Sequence, residues 1–116
     1  MRWQKRIAEL GVKLTRTNYA SPGAVKEHNA AAYELRRIIL QVGCASDTDL
    51  DELLSFLHDP NLRGWIAFAV AELNQIPPAQ RDRCVSVIRD LAEGTGPEAL
   101  AAQWWLRDNR EAINLK

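Results

Sequence analysis

The sequence predicts an all-α fold of about six helices arranged in three antiparallel pairs. Apolar residues recur at helical spacing along almost every segment, and strand-like alternation is nearly missing. Pro, Gly, Ser and Asp punctuate the chain where one apolar stripe stops and the next begins. LLSFLHDPNLRGWIAFAVAEL and VIRDLAEGTGPEALAAQWWLR also align at an offset of roughly 33–34 residues, within the range known for helical-hairpin repeats. That alignment sets Leu57 over Leu91, Ala69 over Ala102 and Leu73 over Leu106.

The first helix is carried by RWQKRIAELGVKLT, with Trp3, Ile7, Leu10 and Leu14 on one face and Gly11 weakening its centre. NYASPG is a turn cluster over residues 18–23. Ser21 then caps, and Pro22 opens, a long alanine-rich helix. Its inward stripe is Val25, Asn29, Ala32, Leu35, Ile39 and Val42, and Gly43 ends it. Ser46 to Asp49 supply a cap and first-turn carboxylates for a third helix over residues 48–58, with Leu50, Leu53, Leu54 and Leu57 inward.

Asp59-Pro60 is the most informative break. Pro60 forbids smooth continuation of the third helix and fits the first turn of a fourth, which Asp59 would cap. Leu62, Ile66, Ala69, Val70 and Leu73 form the fourth apolar stripe. Two helices joined by so short a turn fold back on each other, and neither face is covered by its own hairpin alone. A further hairpin follows. One helix runs from Pro78 to Glu93 with Cys84, Val87, Ile88 and Leu91 inward. After GTG, Thr95 to Glu98 reads as a capping box for a last helix with Ala99, Ala102, Leu106 and Ile113 on one face. The expected organisation is one domain over 1–116: an N-terminal pair or cap over 1–45, then hairpins over 46–75 and 76–116.

Bulk composition narrows the function classes. The chain has 116 residues, 47% of them hydrophobic, as expected of one globular domain. Fifteen basic residues balance fifteen acidic ones, which argues against a nucleic-acid partner, since phosphate binding shows as a basic excess. The longest apolar run, Trp65 to Ala71, is too short to span a bilayer, and Glu9 interrupts any signal-like core behind the basic start. No membrane association and a cytoplasmic location are the expectations. Free Cys44 and Cys84 suit that compartment.

LLSFLHDPNLRGWIAFAVAEL resembles a HEAT repeat. The resemblance rests on Leu53, Leu54 and Leu57 in the first helix, the Asp59-Pro60 turn, Arg63 early in the second helix, and Ala67, Ala69 and Ala71. It implies a short right-handed α-solenoid in which Arg63 bonds an acidic residue of a neighbouring unit. Leu62 stands where the family often has Val, and Pro97 or Glu98 replaces the Arg in the next unit, so the ladder is not continued there. VKEHNAAAYELRRI and GPEALAAQWWLR are further similar to small bacterial HEAT-like proteins, several of which are immunity proteins that neutralise toxins of competing bacteria. The similarity covers about 70 of the 116 residues and specifies fold better than function.

Reactive residues form no recognisable catalytic set. His28, Cys44, His58 and Cys84 lack the close pairing of a structural zinc site, and no Gly-rich oxyanion loop accompanies either Cys. No metal, no cofactor and no enzymatic activity are expected. Asp49, Asp51 and Glu52 suit the helix dipole, and an acidic helix end also suits a basic toxin surface. Trp65 and Phe68 lie on a face rotated away from Leu62, Ile66 and Leu73, while adjacent Trp104 and Trp105 point about 100° apart. Trp and Arg are favoured interface anchors. The candidate partner-binding residues are therefore Asp49, Asp51, Glu52, Trp65, Trp104, Arg107 and Arg110. The expected partner is a protein, most concretely a cognate toxin domain; a scaffold or regulatory subunit is the second reading.

Overall fold

The computed structural model describes residues 3–16, 21–73 and 75–109. Arg2, the turn over residues 18–20, Arg110 and Ile113 lie outside that set. Six α-helices account for nearly all of it: α1 (Trp3–Thr15), α2 (Pro22–Gly43), α3 (Asp47–Leu54), α4 (Arg63–Ala71), α5 (Pro78–Ala92) and α6 (Pro97–Asp108). A 3-10 turn, Ser55–His58, follows α3 directly, and no strand occurs among the described residues. The molecule measures 45 × 34 × 20 Å.

Local chemistry sets most boundaries where the sequence places them. Ser21 accepts a hydrogen bond from the Ala24 amide at 3.4 Å with Pro22 in the first turn, and α2 stops at Gly43. Ser46 accepts from the Asp49 amide at 3.0 Å, with Asp47 and Asp49 in the first turn of α3. Three expectations need correction. The third helix ends at Leu54 instead of His58, because Pro60 has no N–H to offer the Phe56 carbonyl. The Asp59 amide takes that carbonyl instead at 3.0 Å, an i to i+3 bond that tightens the last turn. Asp59 itself closes an Asx turn on the Asn61 amide at 2.8 Å, and α4 starts only at Arg63. Nor does Thr95 build a capping box. Gly96 at φ 91° occupies the cap position with no side-chain bond, a backbone angle that suits glycine.

One core draws on all six helices. Ile7, Leu10 and Leu14 of α1 meet Ala31, Leu35, Ile39 and Val42 of α2, then Leu50, Leu53 and Leu54, and the α4 residues Ile66, Ala67 and Val70. On α2 the inward stripe includes Ala31, whereas Asn29 is exposed. α4 is apolar almost all round, as a helix enclosed by others must be. It packs on α2, on α5 and on the 3-10 turn, and α6 packs on α5. Cys84, Val85 and Ile88 are the buried residues of α5, with Val87 and Leu91 partly buried beside them.

Polar contacts tie the layers. Arg6 forks onto Glu34 across α1 and α2, its Nη2 donating to Oε1 at 2.7 Å. Arg63, at the start of α4, lies 3.7 Å from Asp90 near the end of α5. Arg81, near the start of α5, donates to the Leu73 carbonyl just past α4. Trp3 meets Phe56 edge-on with ring centroids 6.1 Å apart.

Candidate functional site

α4 has one side that no helix covers fully. Ile66, Ala67 and Val70 point inward, which turns Trp65 and Phe68 toward solvent at the i and i+3 positions of the opposite face. Trp65 retains 36% of its surface exposed and Phe68 is half-buried. Around them lies a groove of about 420 Å³ with Trp65, Phe68 and Ala69 from α4, Arg36 from α2, and Pro97 and Glu98 from α6.

Glu98 reaches this groove because of a glycine. A Cβ on Gly64 would stand 2.5 Å from the Glu98 Oε2, so only a bare Cα lets that carboxylate lie over the first turn of α4. Helix N-termini favour negative charge, so a carboxylate suits that place. Arg36 is exposed on α2. Among the described residues neither Arg36 nor Glu98 enters an ion pair or side-chain hydrogen bond, although Arg6, Arg63 and Arg107 each do.

The sequence-nominated residues fall into separate places. Asp49, Asp51 and Glu52 sit on α3, where Asp51 accepts from Gln80 of α5 at 3.2 Å. Trp65 stands at the start of α4, level with Asp90 and Leu91 of α5. Ten residues of α5 separate Gln80 from Asp90, about 15 Å along the axis. The acidic helix end and the Trp65 groove are therefore distinct surfaces. Trp104, 53% exposed, lies two turns beyond Pro97 on α6 and continues a stripe begun by Leu100, which is 45% exposed. Its neighbour Trp105 turns inward onto the core. Arg107 is exposed and lies 3.7 Å from Asp108.

Arg36, Glu98, Leu100 and Tyr33, the last 72% exposed on α2, were not singled out by sequence reasoning. Tyr33 and Arg36 stand one turn apart at exposed positions of α2, an aromatic and cationic pair that sequence alone could have flagged. Glu98 carried no such signal, because its place depends on a helix thirty residues upstream.

A shallow trough of about 810 Å³ between the 3-10 turn and α5 has its cations engaged: Arg63 lies near Asp90, and Arg83 donates to the Leu54 carbonyl at 3.3 Å. Cys84 is fully enclosed, and burial pushes its thiol up to about 12 against the opposing pull of Arg83 and Arg81. At neutral pH it stays protonated and unreactive. No cluster of three metal-ligating side chains occurs among the described residues, and no described helix is long and apolar enough to cross a membrane.

Comparison with protein-family models, with curated proteins and with solved structures finds no match to this chain. Among the described residues the chain presents six helices and an aromatic groove flanked by opposite charges.

Proposed function

We propose that the chain is a non-enzymatic protein-binding module, most concretely an immunity protein that binds and inhibits a cognate bacterial toxin. The observation that carries this reading is the Trp65 and Phe68 groove with its two uncommitted charges, Arg36 and Glu98. A half-exposed tryptophan bounded by charged groups has the composition of an interface anchor with its rim. A HEAT-like solenoid of antiparallel pairs would give that groove its setting. Several contacts support such an arrangement. Arg63 meets Asp90 while Arg81 meets the Leu73 carbonyl, so the start of each of α4 and α5 lies beside the end of the other. Gly43 at the end of α2 faces Leu73 at the end of α4, and Gly64 faces Glu98 at the start of α6. The even-numbered helices then run in one sense and share the side that carries the groove. Arg63 reaching an acidic residue of the next unit also fits the family's ladder, with Asp90 on the helix taking the place of a turn residue.

Co-expression with the product of the adjacent reading frame, followed by pull-down and a growth-rescue assay, tests the immunity role. Rescue that depends on Trp65 supports it. Continued toxicity despite abundant folded protein overturns it. The stripe of Leu100 and Trp104, set apart from the groove, favours a second reading as a scaffold that contacts two proteins at once.

A further inference from the structure

The groove over α4 also specifies the chemistry of what enters it. We propose that it takes a partner segment in which one apolar side chain is flanked by a carboxylate on the α2 side and an ammonium or guanidinium on the α6 side. This rests on the protein-binding reading and adds the character of the bound segment. Trp65, Phe68 and Ala69 make an apolar floor, and a volume of about 420 Å³ places the groove at the small end of concave binding sites. One anchoring side chain suits that space.

The flanks decide the rest. Arg36 and Glu98 line the same groove from different helices, carry opposite charges, and are engaged by no ion pair or side-chain hydrogen bond among the described residues. A wholly apolar partner would strip water from both groups and leave both unpaired, and a partner of one sign would leave one unpaired and repelled. Only a segment carrying both signs satisfies them together. Neighbouring helix axes lie 8–10 Å apart, so with α4 between them and both side chains leaning inward the two partner charges stand roughly 10–15 Å apart. That is about three to five residues of extended chain. The zero net charge of the protein fits a recognition mode built on local charge order instead of bulk attraction.

Gly64 provides a probe that leaves the charges in place. Alanine there forces the Glu98 carboxylate aside, and the obstructing atom is the far end of a flexible, exposed side chain, so the fold accommodates it.

The test is selection of random twelve-residue peptides displayed on phage against the immobilised full chain. Peptides enriched on the unaltered chain should carry an acid, an apolar residue and a base, and a synthetic copy of the best should lose at least tenfold in affinity for Trp65→Ala. Selection on Arg36→Glu should replace the acid by a second base, and selection on Glu98→Lys should replace the base by a second acid. Gly64→Ala should weaken the preference for the base alone. Unaltered circular dichroism of these variants excludes misfolding as the cause of any loss. Absence of enrichment, or an enriched pattern indifferent to both charge reversals, overturns the proposal. So does concentration-dependent self-association in sedimentation that the same reversals abolish, because the groove would then hold a second copy. Growth rescue that persists with Arg36→Glu and Glu98→Lys sinks this inference and spares the immunity reading. Peptide patterns that shift as stated without any rescue do the opposite.

Discussion

Gly11 interrupts a helix that would be stronger with alanine, and the structure supplies the reason. A Cβ at position 11 would stand 2.8 Å from the Leu62 Cδ2, 3.2 Å from its Cγ and 3.4 Å from the Asn61 carbonyl oxygen. Leu62 has 0% of its surface exposed and cannot swing into solvent. Gly11→Ala therefore combines two opposed effects. Helix propensity favours alanine by about 1 kcal/mol, while overpacking a closed site costs about 1–3 kcal/mol. The expected net result is a loss of about 1 kcal/mol. Leu62→Ala removes the obstruction at its own cost of about 2–5 kcal/mol. In that background Gly11→Ala should stabilise by about 1 kcal/mol, because propensity then acts unopposed. The difference between backgrounds is a coupling of about 2 kcal/mol. Guanidinium unfolding followed by far-ultraviolet circular dichroism on the four proteins measures it. Equal stabilisation by Gly11→Ala in both backgrounds would refute the claim that α1 rests on Leu62.

Other outcomes follow from the same coordinates. A thiol reagent should modify exposed Cys44 in the native protein within minutes but reach Cys84 only after unfolding, since burial raises the Cys84 thiol to about 12; native stoichiometry of two would contradict the packing of α5. The hydrogen bond from Arg6 holds the Glu34 carboxyl below its ordinary value, so the pair's stabilisation is complete above the unfolded-state pKa and disappears as pH falls through the lower folded value. Because both side chains are about a third exposed, Glu34→Gln should cost under about 1 kcal/mol at pH 7 and nothing in strong acid. Trp65→Ala should lower the unfolding free energy by less than the roughly 3–5 kcal/mol that a core tryptophan costs, yet abolish detectable partner capture.

The helices were legible because their ends are written locally. Ser21-Pro22, Gly43, Ser46 and Pro78 each act on their own neighbours, and the structure places α2, α5 and the start of α3 where those residues predict. The apolar stripes told which face is inward, so Trp65 stood out as the aromatic that does not belong to the stripe of Leu62, Ile66 and Val70. Most of what escaped notice depends on long-range packing, and the shortened α3 is the local exception. Replacement of the last turn of α3 by a 3-10 turn needed the missing donor of Pro60 to be traced to the Phe56 carbonyl. Thr95 and Glu98 satisfy a capping-box pattern, but Gly96 takes the cap and Glu98 turns to Gly64 on another helix. Arg36 and Glu98 are sixty-two positions apart, and only the folded stack brings them to one groove.

The enclosure of α4 has a kinetic consequence. Its amides lie between α2, α5 and the 3-10 turn, so hydrogen exchange there should proceed only through opening of the whole domain, whereas α6 can fray by itself. Trp65 and Phe68 thus ride on an element expected to exchange slowly. A partner docking on them has little motion to quench, and variation in its residence time will reflect dissociation from a fixed template instead of a search for the right shape.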